Sequence, residues 1–208
     1  MRAGERRALP FVPAGGGVRL PLSLEPYETL VVVLGAVAAD GPVAHPIRFR
    51  HFAALDGDWE LSISGKSLNG PLRSWSDLGM AGYWGAATYQ KRFTIPEGSG
   101  MDRLWLDLGT VRYAAHVRLN GKDLGRRAWG PFRWDVSAAV RTGTNVLEID
   151  VANTRANELA GDAANLKDIE SKGWLKNSYI NMYLKFDQEM IQSGLIGPVA
   201  LVTAEPVR

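Results

Sequence analysis

Short segments in which apolar and polar residues alternate recur along most of the chain, with glycine, proline or asparagine between them. Ala87–Ile95, Arg103–Leu108 and Asn145–Ala152 alternate with a period of two, the pattern of strands that turn one face toward a core. Ala114–Leu119 also alternates and runs into Asn120-Gly121, the dipeptide that best suits a tight β-hairpin turn. Further strands are predicted at 57–63, 132–136 and 199–202. Short strands at this spacing predict an all-β fold, an antiparallel β-sandwich or jelly roll.

The first 45 residues are predicted to be a separate unit. Val18–Leu24 alternates, and Thr29–Leu34 has the apolar character of a strand buried on both faces. A loop rich in alanine, glycine and proline follows, from Gly35 to about Pro46. We therefore predict a strand pair with a linker over residues 1–45 and a sandwich over residues 46–208. Because two strands cannot form a stable core alone, the pair is either the tail of a preceding sandwich or a pair of strands added to the main one.

Residues 156–193 interrupt the pattern of short strands with a mixture of polar and aromatic residues. We interpret this stretch as one long irregular or partly helical insertion, with a short helix at its start and a strand near Tyr183. An excursion of this length in a sandwich either carries function or packs on a neighbouring domain.

Composition and charge exclude several classes of function. The 24 basic and 22 acidic residues are spread along the chain, so the basic patch of a nucleic-acid-binding protein is missing. The longest apolar run, Leu30–Ala39, is too short to cross a bilayer, and we predict no membrane partner. The chain has no cysteine, which excludes disulfides and thiolate metal sites. The N-terminal residues lack the apolar stretch of a signal peptide, so the chain itself gives no localisation.

Several motifs in register resemble the sugar-binding jelly-roll domain of family 2 glycoside hydrolases. They are Ala87–Phe93, Leu106–Gly109, Val117–Gly125, Pro131–Val136 and Gly143–Glu148. The segments Asn157–Asp162 and Ser193–Val199 look closer still to the C-terminal sandwich of α-L-rhamnosidase-like enzymes of family 106. The resemblance implies a galactose-binding-domain-like sandwich without catalytic residues. It also implies that the catalytic carboxylates lie on a separate barrel domain, and that full-length relatives are secreted or periplasmic.

Aromatic residues at loops and strand ends are the candidates for sugar binding, because sugars stack their C–H faces on rings and are oriented by a few polar groups. The rings of this kind are Trp75, Tyr83, Trp84, Tyr113, Trp129, Trp134 and Trp174, of which Tyr83, Trp84, Tyr113 and Trp129 are the preferred candidates. The polar groups nearby are Asp77, Arg112, Arg126, Arg127 and Asn157. The alternative is that the rings plug the ends of the sandwich or pack on another domain. Trp59, Trp105 and Trp134 alternate within strands and are predicted to lie in the core.

Catalytic and metal-binding chemistry is weakly represented. Acids such as Asp56, Asp58 and Asp77 could meet in space as the carboxyl pair of a glycosidase, but no spacing selects such a pair. His45, His51 and His116 lack the spacing of metal ligands. Asp56 and Asp58 beside Gly57 are compatible with a structural calcium ion. We predict no catalytic residue and no cofactor, with calcium as the one metal for which donors exist.

The preferred interpretation is a non-catalytic carbohydrate-binding or accessory domain of an α-L-rhamnosidase-like glycoside hydrolase, whose partners are a carbohydrate and a missing catalytic domain. One alternative is a small stand-alone glycosidase that uses a carboxylate pair. The other is a structural module whose face forms an interdomain interface or a homodimer, since strands orphaned from a partner sheet would leave an apolar edge.

Overall fold

The computed structural model describes residues 8–22, 24, 29–35, 47–160, 171 and 192–206. The strands are, in chain order, β1 Val12–Ala14, β2 Gly17–Arg19, β3 Ile47–Ala54, β4 Trp59–Ile63, β5 Lys66–Gly70, β6 Ala86–Ile95, β7 Leu104–Asp107, β8 Thr110–Arg112, β9 Ala114–Leu119, β10 Lys122–Arg127, β11 Arg133–Asp135, β12 Gly143–Ala152, β13 Gly194–Gly197 and β14 Ala200–Pro206. A 3₁₀ turn lies at Ser76–Leu78, and one short helix, α1, spans Ala156–Ala160.

Two antiparallel sheets form the body of the domain. The larger has six strands in the order β10-β9-β12-β6-β4-β5, and the smaller has four in the order β11-β7-β14-β3. A two-stranded ladder of β13 and β8 lies beside them, and β1 pairs with β2 in a hairpin. Strands distant in sequence are neighbours in both sheets, as in a jelly roll. The prediction of an all-β antiparallel sandwich is confirmed.

The core lies between the two large sheets and is built from the alternate residues of their strands. Leu147, Ile149 and Val151 on β12 are fully buried, and Leu104 and Leu106 on β7 oppose them from the other sheet. Burying a side chain of this kind contributes about 1.5–3 kcal/mol. The intervening residues of β12 point outward, so the period of two in the sequence decides which face of the sheet becomes polar.

Most of the predicted strands are present, but the prediction that Trp105 lies in the core is wrong. Trp59 and Trp134 are buried in the core as predicted. Trp105 is only partly buried and packs edge-on against Phe49, with 5.4 Å between ring centroids. The reason is the phase of β7, in which Leu104 turns inward and its neighbour must therefore turn outward. Strands β1, β3, β5, β8 and β13 were not predicted.

The N-terminal unit differs from its prediction. The β1–β2 hairpin occupies part of it, but residues 29–34 form no strand, and Val31 and Val33 are 80% and 85% exposed. An apolar segment becomes a strand only when another strand supplies hydrogen bonds for its backbone. Residues 29–34 have no such ladder partner among the residues that the structure describes.

The predicted insertion begins with α1, in agreement with the expectation of a short helix at its start. The strand predicted near Tyr183 lies outside the described residues, as does Trp174. Over the described ranges, no helix is both long enough and apolar enough to span a lipid bilayer.

Candidate functional site

Four loops of the domain open at the same end of the six-stranded sheet. Ala152, the last residue of β12, pairs with Ala86 at the start of β6 and with Ala114 at the start of β9. The end of β10 reaches the same level, since Arg127 pairs with Ala115. We call this region the loop end and define it by residues 83–86, 112–114, 126–129 and 152–158. Segments that are distant in sequence therefore meet there.

Asn153 holds the centre of the loop end together. Its side-chain oxygen accepts a hydrogen bond from the Gly85 N–H (2.9 Å), and its side-chain amide donates to the Tyr83 carbonyl (2.8 Å). Its own N–H donates to the Gly85 carbonyl at 3.1 Å. On the other side of β12, the Tyr113 N–H donates to the Ala152 carbonyl at 2.8 Å. The loop before β6 and the start of β9 are thus both fixed to the end of β12.

Ser193 connects the loop end to the turn that follows β5. Its N–H donates to the Ser74 hydroxyl oxygen (3.1 Å), and its carbonyl accepts from the Trp75 N–H (3.0 Å). The next residue, Gly194, is the register partner of Arg112 in the β13–β8 ladder. Segments 74–75, 193–194 and 112–113 are therefore linked one to the next.

A buried pair of aromatic residues closes these links into a ring. Trp75 is fully buried and donates from Nε1 to the Tyr89 hydroxyl (2.7 Å), which also accepts from the Leu195 N–H at 3.1 Å. Burial raises the pKa of Tyr89. The Trp75 ring packs edge-on against Tyr83, with centroids 5.4 Å apart. Residues 74–75, 83–85, 112–113, 152–153 and 193–194 thus form what we call the contact ring.

The contact ring depends on a glycine at position 194. Gly194 has a φ of +99°, and a Cβ added there would lie 2.6 Å from the Tyr89 hydroxyl oxygen and overlap Trp75 Nε1. A side chain at this position would be strained in its backbone and would also collide with both rings. Glycine is needed here for close packing, in addition to its backbone freedom.

Trp84 is the accessible aromatic residue beside the contact ring. Its side chain is 49% exposed, although the Arg155 guanidinium lies over it with Cζ 5.0 Å from the ring centroid. Arg155 Nε in turn donates to a carboxylate oxygen of Glu158 at 2.5 Å. Such a stacked guanidinium adds a cation–π contact and restrains the ring. Trp84 is thus a positioned ring with charged and polar neighbours.

The structure brings together one group of the predicted sugar-binding residues. Tyr83 and Tyr113 belong to the contact ring, and Trp84 lies on the same loop as Tyr83. Asn157 lies in α1 just beyond, but it is completely buried and shapes the loop rather than presenting a polar group to solvent. Tyr83 is half-buried and donates its hydroxyl to the Ala86 carbonyl at 2.8 Å, so it also has a structural role.

The other predicted residues lie apart from this group. Arg126, Arg127 and Trp129 are at the end of β10, three strands from β6 in the sheet order, which is about 15 Å at the usual strand spacing. Trp129 is 66% exposed, whereas Arg127 stacks on the buried Trp134 ring at 5.4 Å. Asp77 is exposed in the 3₁₀ turn that follows Trp75.

Sequence reasoning missed three residues that build the site: Asn153, Arg155 and Ser193. It also grouped Trp75 with the loop aromatics, whereas Trp75 is buried inside the contact ring. A signal was available for Asn153 and Arg155, because both directly follow the strongly alternating strand that ends at Ala152. Ser193 carried no comparable signal, since its partners are far away in the sequence.

The predicted calcium donors lie at the opposite end of the sheet, and their arrangement does not suit calcium. The backbone carbonyls of Asp56 and Asp58 both accept hydrogen bonds from the Lys91 ammonium, the second at 2.8 Å. Calcium needs six to eight oxygen ligands and is repelled by a fixed positive charge. Among the described residues no group of three or more histidines and carboxylates is placed to hold a metal ion.

The outward face of β9, β10 and β12 carries a network of ion pairs, which we call the outer polar network. Arg118 pairs with Glu148 and, at 2.8 Å, with Asp150. His116 lies 2.9 Å from an oxygen of Asp123 through Nε2 and 3.1 Å from an Arg118 nitrogen through Nδ1. These hydrogen bonds to Glu148 and Asp150 raise the pKa of Arg118. Arg118, Glu148 and Asp150 each thus have an opposite charge beside them, and Asp123 has a hydrogen-bond partner in His116.

Two sheets joined by long-range links, with ordered loops at one end, define a galactose-binding-like β-sandwich. Residues 81–186, just over half of the 208 residues, match the family described as the glycosyl hydrolase 2 galactose-binding domain-like family. The chain belongs to this family. It is therefore a domain of the accessory kind found in glycoside hydrolases, and the resemblance seen in the sequence motifs is confirmed.

Similar proteins are much longer than this chain. It is 35% identical over 153 residues to a protein of Formosa agariphila named "Putative beta-glucuronidase", covering 62% of this chain and 13% of that protein. A second protein of the same organism and name is 29% identical over 111 residues, covering 47% of this chain and 10% of the protein. The structure of a rhamnosidase from Novosphingobium sp. PP1Y aligns with a TM-score of 0.64 and 30% identity, covering 94% of this chain and 19% of the rhamnosidase.

Proposed function

We propose that this chain is a non-catalytic carbohydrate-recognition domain that works beside the catalytic domain of an α-L-rhamnosidase-like glycoside hydrolase, and that sugar binds at the loop end. The observation that carries the proposal is the half-exposed indole of Trp84, on the segment of the contact ring that Asn153 fixes through Tyr83 and Gly85. Membership of the glycosyl hydrolase 2 galactose-binding domain-like family supports it. So does the alignment with the rhamnosidase, of which this chain matches 19%.

The loop end has the two properties that a sugar site requires. A sugar face needs an accessible ring whose orientation is fixed before binding, because ordering a mobile ring would cost affinity. Trp84 meets this need through its neighbour Gly85, which exchanges two hydrogen bonds with Asn153. Sugar hydroxyls also need polar partners, and the guanidinium of Arg155 lies over the Trp84 ring, with Cζ 5.0 Å from the centroid.

Three carboxylates of the described residues are arranged unfavourably for glycoside hydrolysis. That reaction needs one protonated acid and one free carboxylate on either side of the scissile bond. Glu148 and Asp150 share the positive charge of Arg118, and Glu158 pairs with Arg155. These carboxylates are thus engaged by arginines. The geometry therefore favours recognition over cleavage in this chain.

Calorimetric titration with a panel of oligosaccharides tests the proposal. We expect binding by the wild-type chain and a loss of affinity of about fivefold or more in Trp84→Ala, since stacking on one ring contributes about 1–3 kcal/mol. Trp129→Ala is the matched control, because it removes a tryptophan that is even more exposed (66% against 49% for Trp84) and that follows β10. If no sugar binds, or if the two variants are equally impaired, the loop around Trp84 is not the site.

A second candidate function, an interdomain or homodimer interface, is favoured by the apolar surface of residues 11–34. Its exposed members are Phe11, Val12, Val18, Leu22, Leu24, Leu30, Val31, Val32, Val33 and Leu34. Exposed apolar surface on this scale is typical of a region that another domain covers. Light scattering of the chain with and without residues 1–35 tests the homodimer. A monomer in both forms would leave only the interdomain contact.

A further inference from the structure

We propose that the loop end recognises a negatively charged sugar, one that carries a carboxylate or a sulfate group, and that Arg112 binds this group. The inference rests on the proposed function and names the substrate class of the same site. It begins from the state of the Arg112 side chain, which is unlike that of the arginines in the outer polar network.

The guanidinium of Arg112 is partly buried, and no acid among the described residues neutralises it. Its Nε is inaccessible to solvent and has no hydrogen-bond partner among those residues. Its close contact within them is the ring of Tyr113, whose centroid lies 5.9 Å from Cζ. A buried N–H of a charged group is costly when it is left unsatisfied, so such groups are rarely kept without a reason. An anion bound at this partly exposed side chain would neutralise its charge.

A second unsatisfied polar atom lies next to it in the fold. Ser193 is completely buried, and its hydroxyl has no hydrogen-bond partner among the described residues. Ser193 precedes Gly194, which is the register partner of Arg112. Two polar groups of the contact ring that lack described partners therefore lie on adjacent segments, and Arg112 is the more accessible of the two.

The charge of the loop end agrees with an anionic ligand. Its described segments carry Arg112, Arg126, Arg127 and Arg155, and one carboxylate, that of Glu158, which is paired with Arg155. This excess of positive charge would attract an anion before contact.

A guanidinium binds carboxylate and sulfate better than an ammonium does, because its planar N–H groups can donate two parallel hydrogen bonds. Tyr113 directly follows Arg112 and is hydrogen-bonded to the end of β12, and Trp84 lies on the other side of that strand end. One sugar unit could therefore contact an aromatic ring while its anionic group reaches Arg112. An anionic sugar thus uses both the aromatic and the charged character of this region.

Calorimetry with matched ligands tests the inference on the full chain. The probes are methyl glucoside, methyl glucuronide, the uncharged methyl ester of that glucuronide, and glucose 6-sulfate. We expect the glucuronide or the sulfate to bind at least tenfold more tightly than the glucoside and the ester. Raising the salt concentration should weaken only the charged ligands. The comparison of carboxylate with sulfate distinguishes the two sources of charge.

Variants of two arginines test whether Arg112 is the group that binds the anion. Arg112→Gln should reduce charged and neutral ligands to equal affinity, and Arg112→Lys should restore part of the difference. Arg126→Gln removes the same charge from an exposed position of the loop end and should keep the preference. Equal binding of charged and neutral sugars by the wild-type chain would overturn the inference but leave the proposed function standing. Absence of binding to every sugar would overturn both, and equal losses in the two glutamine variants would show diffuse attraction instead of a site at Arg112.

Discussion

Two arginines on successive strands behave in opposite ways. In the outer polar network, Arg118 is held between Glu148 and Asp150, with its charge matched and its hydrogen bonds directed. At the loop end, Arg112 keeps a buried N–H without a partner among the described residues. The same residue type stabilises the fold in one place and costs stability in the other. Proteins accept such costs at sites where a ligand later supplies what is missing. This contrast is the reason for proposing a ligand site at the loop end.

The largest expected effect comes from disrupting the contact ring. Gly194→Ala places a methyl group against Trp75 and the Tyr89 hydroxyl and also requires a side chain at a φ of +99°. We expect the free energy of unfolding to fall by about 2–5 kcal/mol, from overpacking and backbone strain together. Urea unfolding measures it. Gly121→Ala is the control, because that residue has a φ of +78° but open space around it. An equal loss in both would mean that strain alone decides and that the contact ring adds nothing.

A smaller effect is expected from replacing the two arginines, and it should differ between Arg118 and Arg112. Arg118→Met leaves two partly exposed carboxylates without a partner, so we expect a loss of about 1 kcal/mol, limited by solvent screening. Arg112→Met removes an unsatisfied charged group, and we expect stability to stay constant or to rise by up to about 1 kcal/mol. Chemical denaturation of both variants at neutral pH measures the contrast. Destabilisation of Arg112→Met by as much as Arg118→Met would contradict a binding role for Arg112.

The smallest expected effect is on the pH dependence of stability. Burial works to raise the pKa of Asp150, but hydrogen bonds from Thr88 and Arg118 outweigh it and leave that pKa below its ordinary value. The pKa of an aspartate in an unfolded chain is about 4, and that of Asp150 is lower in the folded chain. The ionised Asp150 therefore stabilises the fold above about pH 4, and this stabilisation is lost as the pH falls toward the folded pKa. Asp150→Asn should therefore lose this part of the acid sensitivity.

Thermal melts between pH 3 and 7 measure the pH dependence of stability. The difference in melting temperature between the wild type and Asp150→Asn should shrink toward the acid end. The control is Arg112→Met, which removes an arginine that stays charged over this range and should give a curve parallel to the wild type. If Asp150→Asn also ran parallel, the outer polar network would contribute no pH-dependent stability.

The sheets could be predicted from the sequence because their information is local. The alternation of Asn145–Ala152 and the Asn120-Gly121 turn specify strands and a hairpin without knowledge of the rest of the chain. Strands β8 and β13 were missed because each is only three or four residues long and is defined by its partner. Residues 29–34 show the converse, since a strongly apolar sequence forms no strand where no ladder partner is present among the described residues.

The candidate site was predicted only in part. Trp84 and Tyr113 could be selected because a ring beside glycine or at a strand end is conspicuous in the sequence. The network that positions them could not be selected, because Asn153 meets Gly85 and Ser193 meets Ser74 only after the sandwich has formed. Trp129, which follows β10, was grouped with Trp84 because nothing in the sequence gives the order of the strands across the sheet.

The bond between Ser193 and Ser74 joins residues that are 119 positions apart in the chain. During synthesis, the segment that carries Trp84 leaves the ribosome long before the segment that must lock against it. The sheet strands around β6 can begin to pair earlier, but the contact ring cannot be complete until residue 194 has emerged. Contacts of such long range also form slowly. Ligand binding at this end would therefore report that the whole domain has been synthesised and folded. A binding assay would then be a stricter test of complete folding than the β-sheet signal in a circular dichroism spectrum.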